Sequence, residues 1–182
     1  MKHLISKTFL LGLTALSAVL MVNVNAQAQT IRSQRQLFES GQTERMRILA
    51  LRLKPGQDLR RQLESFVKDQ RIKAGFLITT VGSLRQASIR LADQPAATNF
   101  TGKFEIVSLV GTMGQDGVHL HISISDSAGK TIGGHLVEGC LIYTTAEIVI
   151  GEAQGLTFSR ELDAETGYQE LRIRKKSRRG RY

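Results

Sequence analysis

Three histidines are the side chains of this sequence best suited to chemistry. His119 and His121 lie two residues apart within Val118 to Ile124, a segment rich in β-branched residues, and His135 follows a pair of glycines. Side chains on a strand alternate between its two faces, so His119 and His121 are predicted to point the same way. The remaining histidine of the chain, His3, lies near the N-terminus.

The segment between this pair and His135 is predicted to form a turn. Ser125 to Lys130 contains Asp126 and Gly129, residue types that favour turns, and Asp126 is interpreted as a turn residue rather than a ligand. The chain would then double back, so that Thr131 to Leu136 runs beside the first strand. His135 would thereby complete a set of three imidazoles.

Three neutral imidazoles are typical ligands of zinc or of another divalent transition metal. Three protein ligands with a fourth position open is the pattern of a catalytic or ligand-binding zinc site, rather than of a closed structural site. Water or a small anionic ligand would take the open position. The alternative interpretation is that the histidines are half-exposed sheet residues with ordinary hydrogen bonds. The third histidine beside a glycine pair favours the metal site.

Glu138 is the candidate for moving protons if this site is catalytic, because it follows His135 by three residues. A bound metal would act there as a Lewis acid or lower the pKa of bound water toward ~7. The alternative for Glu138 is a surface or interface ion pair, since strand alternation does not decide which way its side chain faces. A metal-dependent lyase-like or hydrolase-like activity is therefore a hypothesis, and the sequence offers no definite catalytic set.

The N-terminus has the pattern of an export signal. Residues 1–28 begin with lysines, continue with the uncharged apolar run Phe9 to Val22, and end at the small-residue site Ala26 to Ala28. The run is shorter than the ~20 residues that a spanning helix needs. We predict a signal peptide over 1–28 and a polar linker over 29–43, which would make the protein periplasmic or secreted. The alternatives are a mistaken start codon and a buried apolar helix.

The net charge of +9 is unevenly distributed. Seven of the positive charges lie between Arg172 and Arg181, whereas all acidic residues lie between Arg32 and Glu170, together with as many Lys and Arg. The body of the protein is therefore predicted to be close to neutral, with a basic C-terminal tail at 177–182. Such a tail is usually solvated; the alternative is that it binds a polyanion, nucleic acid or an anionic membrane surface.

The segment 44–176 is predicted to be one folded domain. A single helix is expected after Asp58, a residue type that caps helices, because apolar side chains follow it at helical spacing. The chain is expected to break at Gly82-Ser83 and to form a loop over 92–102. Strands are predicted at 46–53, 74–81, 84–91, 104–112, 118–125, 131–137, 141–150, 156–160 and 168–174. One main helix among about nine strands indicates an α+β fold, a compact mixed, largely antiparallel β-sheet domain.

Cys140 is the only cysteine of the chain. An intramolecular disulfide is therefore excluded, and stability must come from packing or from assembly. Its position beside an apolar run predicts a buried thiol, and we do not count it among the metal ligands.

Two motifs of this chain resemble those of a known family. Leu53 to Leu59 reads L-K-P-G-Q-D-L and matches the family's opening L-x-P-G-x-D-L. Gly102 to Val107 reads G-K-F-E-I-V and matches its G-R-F-E-I-L hexapeptide, with Lys for Arg and Val for Leu. On these motifs the chain resembles the plant and prokaryote conserved (PPC) domain over roughly residues 44–176. The segment Gly117 to Leu136 is similar to the bacterial and archaeal branch of that family, which carries H-x-H and G-G-H.

The resemblance implies roles and an assembly for this chain. In the bacterial and archaeal branch these histidines are the metal ligands, so His119, His121 and His135 are expected to bind the metal. The family also implies a homotrimer with the sites near the subunit boundaries. Its architecture is similar to that of acetolactate decarboxylase, which uses three histidines on zinc.

Plant members of the family suggest a second function, since they are nuclear proteins in which an AT-hook binds DNA. Arg179 to Arg181 reproduces the R-G-R core of such a hook, which suits a narrow minor groove. Tyr182 stands where the hook has Pro, and an export signal would carry the protein away from the chromosome. The alternative is thus a DNA-binding regulatory protein acting through trimerisation and its basic tail.

Overall fold

The computed structural model describes residues 40–175 of the 182-residue chain. The predicted signal peptide, most of the linker at 29–43 and the basic tail at 177–182 lie outside the described residues. Within the described part, no helix is long and apolar enough to cross a membrane.

One helix and eight strands make up the described part of the chain. The elements are β1 (Met46–Leu53), α1 (Leu59–Asp69), β2 (Gly75–Arg90), β3 (Thr98–Gly114), β4 (Gly117–Ser125), β5 (Thr131–Leu136), β6 (Leu141–Ala153), β7 (Leu156–Leu162) and β8 (Gln169–Lys175). The expectation of one main helix in a β-rich domain is confirmed.

The strands form a six-stranded sheet and a separate hairpin. The order in the large sheet is β1-β6-β2-β3-β4-β5, and β5 also pairs with the end of β2. The part from β2 to β5 therefore closes on itself. Every strand pairing in the described residues is antiparallel, which confirms the predicted largely antiparallel sheet. The hairpin of β7 and β8 is a two-stranded sheet of its own.

The core lies on one face of the large sheet, where α1 covers it. The buried face of α1 carries Leu59, Leu63 and Val67. Along β4, the buried side chains are those at even positions, including Leu120 and Ile122. Each fully buried side chain of this kind contributes roughly 1.5–3 kcal/mol. Because the even positions of β4 point into this core, the odd positions, which carry the histidines, point to the opposite face.

Asp58 ties the start of α1 to the turn between β5 and β6. One carboxylate oxygen accepts a hydrogen bond from the backbone N–H of Arg61 (3.0 Å), as an N-cap residue does. The other accepts from the backbone N–H of Gly139 (2.6 Å). The predicted cap is confirmed, and it fixes α1 beside the end of the strand that carries His135.

The predicted break at Gly82-Ser83 is wrong, because β2 runs without interruption from Gly75 to Arg90. The pairing of β2 with β6 shifts its register around Gly82, which has a φ of +150°. A Cβ at this position would clash with the carbonyl oxygen of Thr145 on β6. Gly82 therefore permits a close approach of two strands inside a bulged strand, rather than ending one. The predicted loop over 92–102 is also shorter, since β3 begins at Thr98.

Part of the basic C-terminal stretch belongs to the folded domain. Arg172 and Arg174 lie in β8, where Arg174 donates to Glu161 (2.5 Å) and Arg172 lies 3.7 Å from Asp163. These arginines face carboxylates of β7 and of the turn that follows it. Only the basic residues beyond Lys175 can belong to a tail.

Candidate metal centre

The three predicted histidines converge on the face of the sheet opposite the core. Their ring centroids lie 5.1 to 5.6 Å apart, and one nitrogen from each ring lies within 4.8 Å of the other two. His119 and His135 are partly buried, whereas His121 is exposed. The predicted turn lies between β4 and β5, and Asp126 accepts hydrogen bonds there from the backbone of Ala128 and Lys130. Among the histidines, cysteines and carboxylates of the described residues, these three histidines are the ones that meet in such a group.

Strand register explains why the rings meet. His121 on β4 is the direct cross-strand partner of His135 on β5, and His119 lies two residues before His121 on the same face. Directly opposite residues of an antiparallel pair have closely spaced Cβ atoms on one face of the sheet. The same cross-strand row continues with Val110 on β3 and with Arg90 on β2.

The glycine pair before His135 lets β5 fit between its two neighbours. A Cβ at Gly133 would lie 2.7 Å from the carbonyl oxygen of Ile122 on β4. A Cβ at Gly134 would lie 2.6 Å from the carbonyl oxygen of Arg90 on β2. Both contacts are with backbone, which cannot move aside cheaply. The glycines therefore allow the close approach that places His135 in the site.

The imidazole of His135 is suited to bind a metal. Its Nδ1 is buried and has no hydrogen-bond partner among the described residues. Burial, followed by the positive charges of His119 and Arg90, lowers the pKa of His135 to about 4. The ring is therefore neutral near pH 7, which is the form that ligates a metal. Leaving a buried nitrogen without a partner costs about 1–3 kcal/mol, and a metal bound at Nδ1 would offset that cost.

His119 has a direct neighbour in the hairpin of β7 and β8. Nη1 of Arg160 lies 3.3 Å from Nδ1 of His119, and Nη2 donates to the hydroxyl of Thr112 (2.6 Å). Burial lowers the pKa of His119, and the positive charge of Arg160 lowers it further, while Glu170 acts in the opposite direction. Like His135, this histidine favours its neutral form.

The site opens into a large cleft of about 1210 Å³. His119 and His135 lie in its wall, together with side chains from α1, the end of β2, the turn between β3 and β4, and the hairpin. The charged residues of the wall are Arg60, Glu64, Lys68, Arg90, Asp93, Asp116, Arg160 and Glu170. A molecule that enters this cleft reaches the histidines between cationic and anionic side chains.

Glu138 lies outside the wall of this cleft. Its carboxylate accepts a hydrogen bond from Nε of Arg61 (2.7 Å), in an exposed ion pair between the turn after β5 and the start of α1. This arrangement agrees with the alternative interpretation of an ion pair, and the proton-moving role of Glu138 stays a prediction. Glu170 is better placed than Glu138 to act at the histidine group. Glu170 lines the cleft and acts electrostatically on His119 and Arg160.

Sequence reasoning did not find Arg90, Arg160 or Glu170. Arg90 lies at the end of β2, and the other two lie on β7 and β8, so no spacing in the sequence connects them with the histidines. They meet through pairing of distant strands and packing of the hairpin. Cys140 is buried as expected, and its thiol interacts with the backbone N–H and carbonyl of Ser88 (3.3 Å each), which keeps it out of the histidine group.

The domain is thus an antiparallel sheet with a three-histidine group on its outer face. The model of the Plants and Prokaryotes Conserved (PCC) domain matches residues 40–154, and the chain belongs to this family. The resemblance inferred from the sequence motifs is confirmed. The family model ends before β7, so the hairpin that supplies Arg160 and Glu170 lies beyond the matched residues.

Solved structures and curated relatives agree with this assignment. A hypothetical protein from Salmonella cholerae-suis is 43% identical, with a TM-score of 0.73 over 75% of this chain and 99% of its own. A metal-containing protein from Archaeoglobus fulgidus is 26% identical, with a TM-score of 0.65 over 74% of this chain and 99% of its own. The bifunctional protein GlmU of Synechococcus sp. (strain JA-3-3Ab) is 50% identical over 133 residues, which are 73% of this chain. The chain spans about a fifth of the length of the curated relatives that it matches.

Proposed function

We propose that this protein binds one divalent transition-metal ion, zinc in the first instance, through His119, His121 and His135. The observation that carries this proposal is the convergence of three ring nitrogens within 4.8 Å on one face of the sheet. The buried Nδ1 of His135, which has no partner in the described part of the chain, supports it. A zinc ion with Zn–N distances of about 2.0–2.1 Å would draw tetrahedral ligands to ~3.3 Å, a closure that side-chain rotation supplies.

The open coordination position would face the cleft. Three protein ligands leave room for water or a small anionic ligand, and the cleft wall contains the cations that such a ligand would meet. A bound metal would supply Lewis acidity and a lowered pKa of bound water. The metal-containing protein from Archaeoglobus fulgidus, which shares this fold, supports the presence of a metal. Similarity to the architecture of acetolactate decarboxylase is part of the same proposal, and catalysis stays a hypothesis.

We also propose that the protein is a homotrimer. Its exposed apolar side chains support assembly, because exposed apolar patches often mark protein interfaces. Five of them lie on three strands of the large sheet: Ile48 on β1, Ile78 and Val81 on β2, and Val107 and Val110 on β3. Val110, which is 54% exposed, is the direct cross-strand neighbour of His121. A subunit that covered this patch would therefore also border the exposed side of the metal site.

Export to the periplasm or outside the cell is proposed from residues 1–28. The alternative, binding of DNA, another polyanion or an anionic membrane, would have to use the basic residues after Lys175, because Arg172 and Arg174 face carboxylates in the hairpin. A truncation that tests it should therefore begin at residue 176 and leave β8 intact. Loss of a steep salt dependence of DNA binding in that truncation would support the alternative.

Elemental analysis tests the metal site. The protein, purified without a polyhistidine tag, is expected to contain about one metal ion per chain, and His119→Ala with His121→Ala is expected to contain none. Arg85→Ala, which changes an exposed side chain outside the cleft wall, is the control for a substitution elsewhere in the domain. Metal absent from the wild-type protein after reconstitution with zinc, nickel, iron or manganese would contradict the proposal. Light scattering of the same samples tests the trimer, which a monomeric mass would refute.

A further inference from the structure

The cationic side chains of the cleft wall differ in whether they already have hydrogen-bond or ion-pair partners in the protein. Arg60 donates to Glu64 (2.9 Å) and to the backbone carbonyl of Leu136 (2.8 Å). Arg160 contacts Thr112 and His119, as described above. These two guanidinium groups are therefore held by neighbours.

Arg90 is different, because its guanidinium has neither a hydrogen bond nor an ion pair with any described residue. Its side chain is nonetheless partly buried in the cleft wall. An anionic ligand in the cleft would supply the partner that this guanidinium lacks among the described residues. Lys68, the other cation of the cleft wall that makes no hydrogen bond or ion pair with a described residue, is exposed on α1.

Arg90 also has a defined position relative to the histidines. It is the direct cross-strand partner of His135, which is in turn the partner of His121, so the three side chains form one row on the outer face of the sheet. Arg90, His119 and His135 also line the same cleft. A ligand bound in this cleft could therefore contact Arg90 and the histidine group together.

We infer that Arg90 binds the anionic group of a small carboxylate or phosphate compound whose other end occupies the open position of the three-histidine site. This inference rests on the proposed metal site. Guanidinium offers a planar pair of donors that matches a carboxylate or a phosphate in a bidentate contact. Both kinds of compound share the required chemistry, an anionic oxygen group beside a metal-binding oxygen.

The rest of the cleft limits the size and charge of this ligand. Glu64, Asp93, Asp116 and Glu170 also line the wall. Glu64 is paired with Arg60, but the wall as a whole holds as many carboxylates as cations. A polyanion that filled the cleft would meet these carboxylates, whereas a small ligand with one anionic group beside Arg90 would not.

Cobalt-loaded protein gives a readout of ligand binding that does not depend on activity. The visible absorption of Co²⁺ in the three-histidine site changes when a ligand enters its open position, so glycolate and inorganic phosphate are titrated separately at constant ionic strength. The variants are Arg90→Gln, Arg90→Lys and the control Arg85→Gln. Arg85 lies on the same strand, is exposed and does not line the cleft, so its substitution makes the same change in charge elsewhere.

We expect saturable binding of at least one probe, weakened roughly tenfold or more in Arg90→Gln and less in Arg90→Lys, with Arg85→Gln unchanged. The probe that binds more tightly identifies the source of the anionic group. If Arg90→Gln failed to hold Co²⁺, the same comparison would be made with Arg90→Lys.

Two failures are distinguishable. Full Co²⁺ loading with equal probe affinities in the wild-type protein and the Arg90 variants, or with no spectral response to either probe, would overturn the role of Arg90 and leave the metal site standing. Absence of Co²⁺ from the wild-type protein would overturn both proposals.

Discussion

The guanidinium of Arg160 lies against Nδ1 of His119, in a contact that a metal bound to this ring would break. Nη1 of Arg160 lies 3.3 Å from Nδ1 of His119, and an arginine can only donate, so Nδ1 accepts and the ring proton of the neutral imidazole is on Nε2. A ring that binds a metal through Nε2 carries its proton on Nδ1, and a ring that binds through Nδ1 has no lone pair left there. In either case, the contact with Arg160 must break when His119 binds a metal.

Removal of the Arg160 guanidinium is therefore expected to strengthen metal binding. In Arg160→Met, the metal no longer competes with one hydrogen bond and no longer meets the adjacent positive charge. We expect the dissociation constant for Zn²⁺ to fall about 2–10-fold, the equivalent of one hydrogen bond. Competition with a chromophoric chelator measures it, with Arg85→Met as the control for loss of an arginine elsewhere. Weaker binding in Arg160→Met would contradict the competition.

Gly134→Ala should damage both the fold and the site. The added Cβ would lie 2.6 Å from the carbonyl oxygen of Arg90, so β5 must move away from β2. We expect the free energy of unfolding to fall by about 1–3 kcal/mol, as in other overpacked sites. Because His135 moves with β5, metal affinity should fall roughly tenfold. Chemical denaturation and metal titration measure these effects, and Ser127→Ala in the exposed turn before β5 is the control. Wild-type affinity in Gly134→Ala would show that the close strand approach does not position His135.

Glu138→Gln is expected to keep both the metal and ligand binding. The carboxylate of Glu138 is engaged in an exposed ion pair with Arg61, and such pairs contribute little to stability. Metal content, melting temperature and titration with glycolate should therefore match those of the wild-type protein. Glu170→Gln is the comparison, because Glu170 lines the cleft and should alter ligand binding. Loss of ligand binding in Glu138→Gln alone would restore the role that the sequence suggested.

The buried thiol of Cys140 predicts a loss of stability in alkaline solution. Burial raises its pKa from 9.0 to about 11. Above pH 9 the thiol of the unfolded chain ionises while the folded one stays protonated, so its contribution is complete below pH 9 and is lost as the pH rises toward 11. Two pKa units correspond to about 2–3 kcal/mol. Denaturation at pH 8 to 11 measures the slope, and Cys140→Ala provides the reference for other titrating groups. Equal slopes in both proteins would contradict the assignment.

Several features of the fold were predictable because they depend on neighbours in the sequence. The alternation of a strand places His119 and His121 on one face wherever the strand lies. Asp58 caps α1 through the next turn of backbone. The sequence around Gly82 led to the wrong prediction of a strand break. A glycine in an apolar run marks either the end of a strand or a close approach of two strands. The clash that a Cβ at Gly82 would make with Thr145 on β6 identifies a close approach of strands. The local sequence does not show that β6 lies beside this residue.

The sequence by itself determined the three candidate ligands, the shared face of the first two histidines and the turn that returns the chain to them. Tertiary structure alone decided that Arg90 stands in the row of His121 and His135, and that Arg160 contacts His119. It also decided that Glu138 faces Arg61 rather than the cleft. The physical reason is that these relationships arise between segments far apart in the chain. Strand register and packing of the β7–β8 hairpin create them, and no local periodicity encodes either.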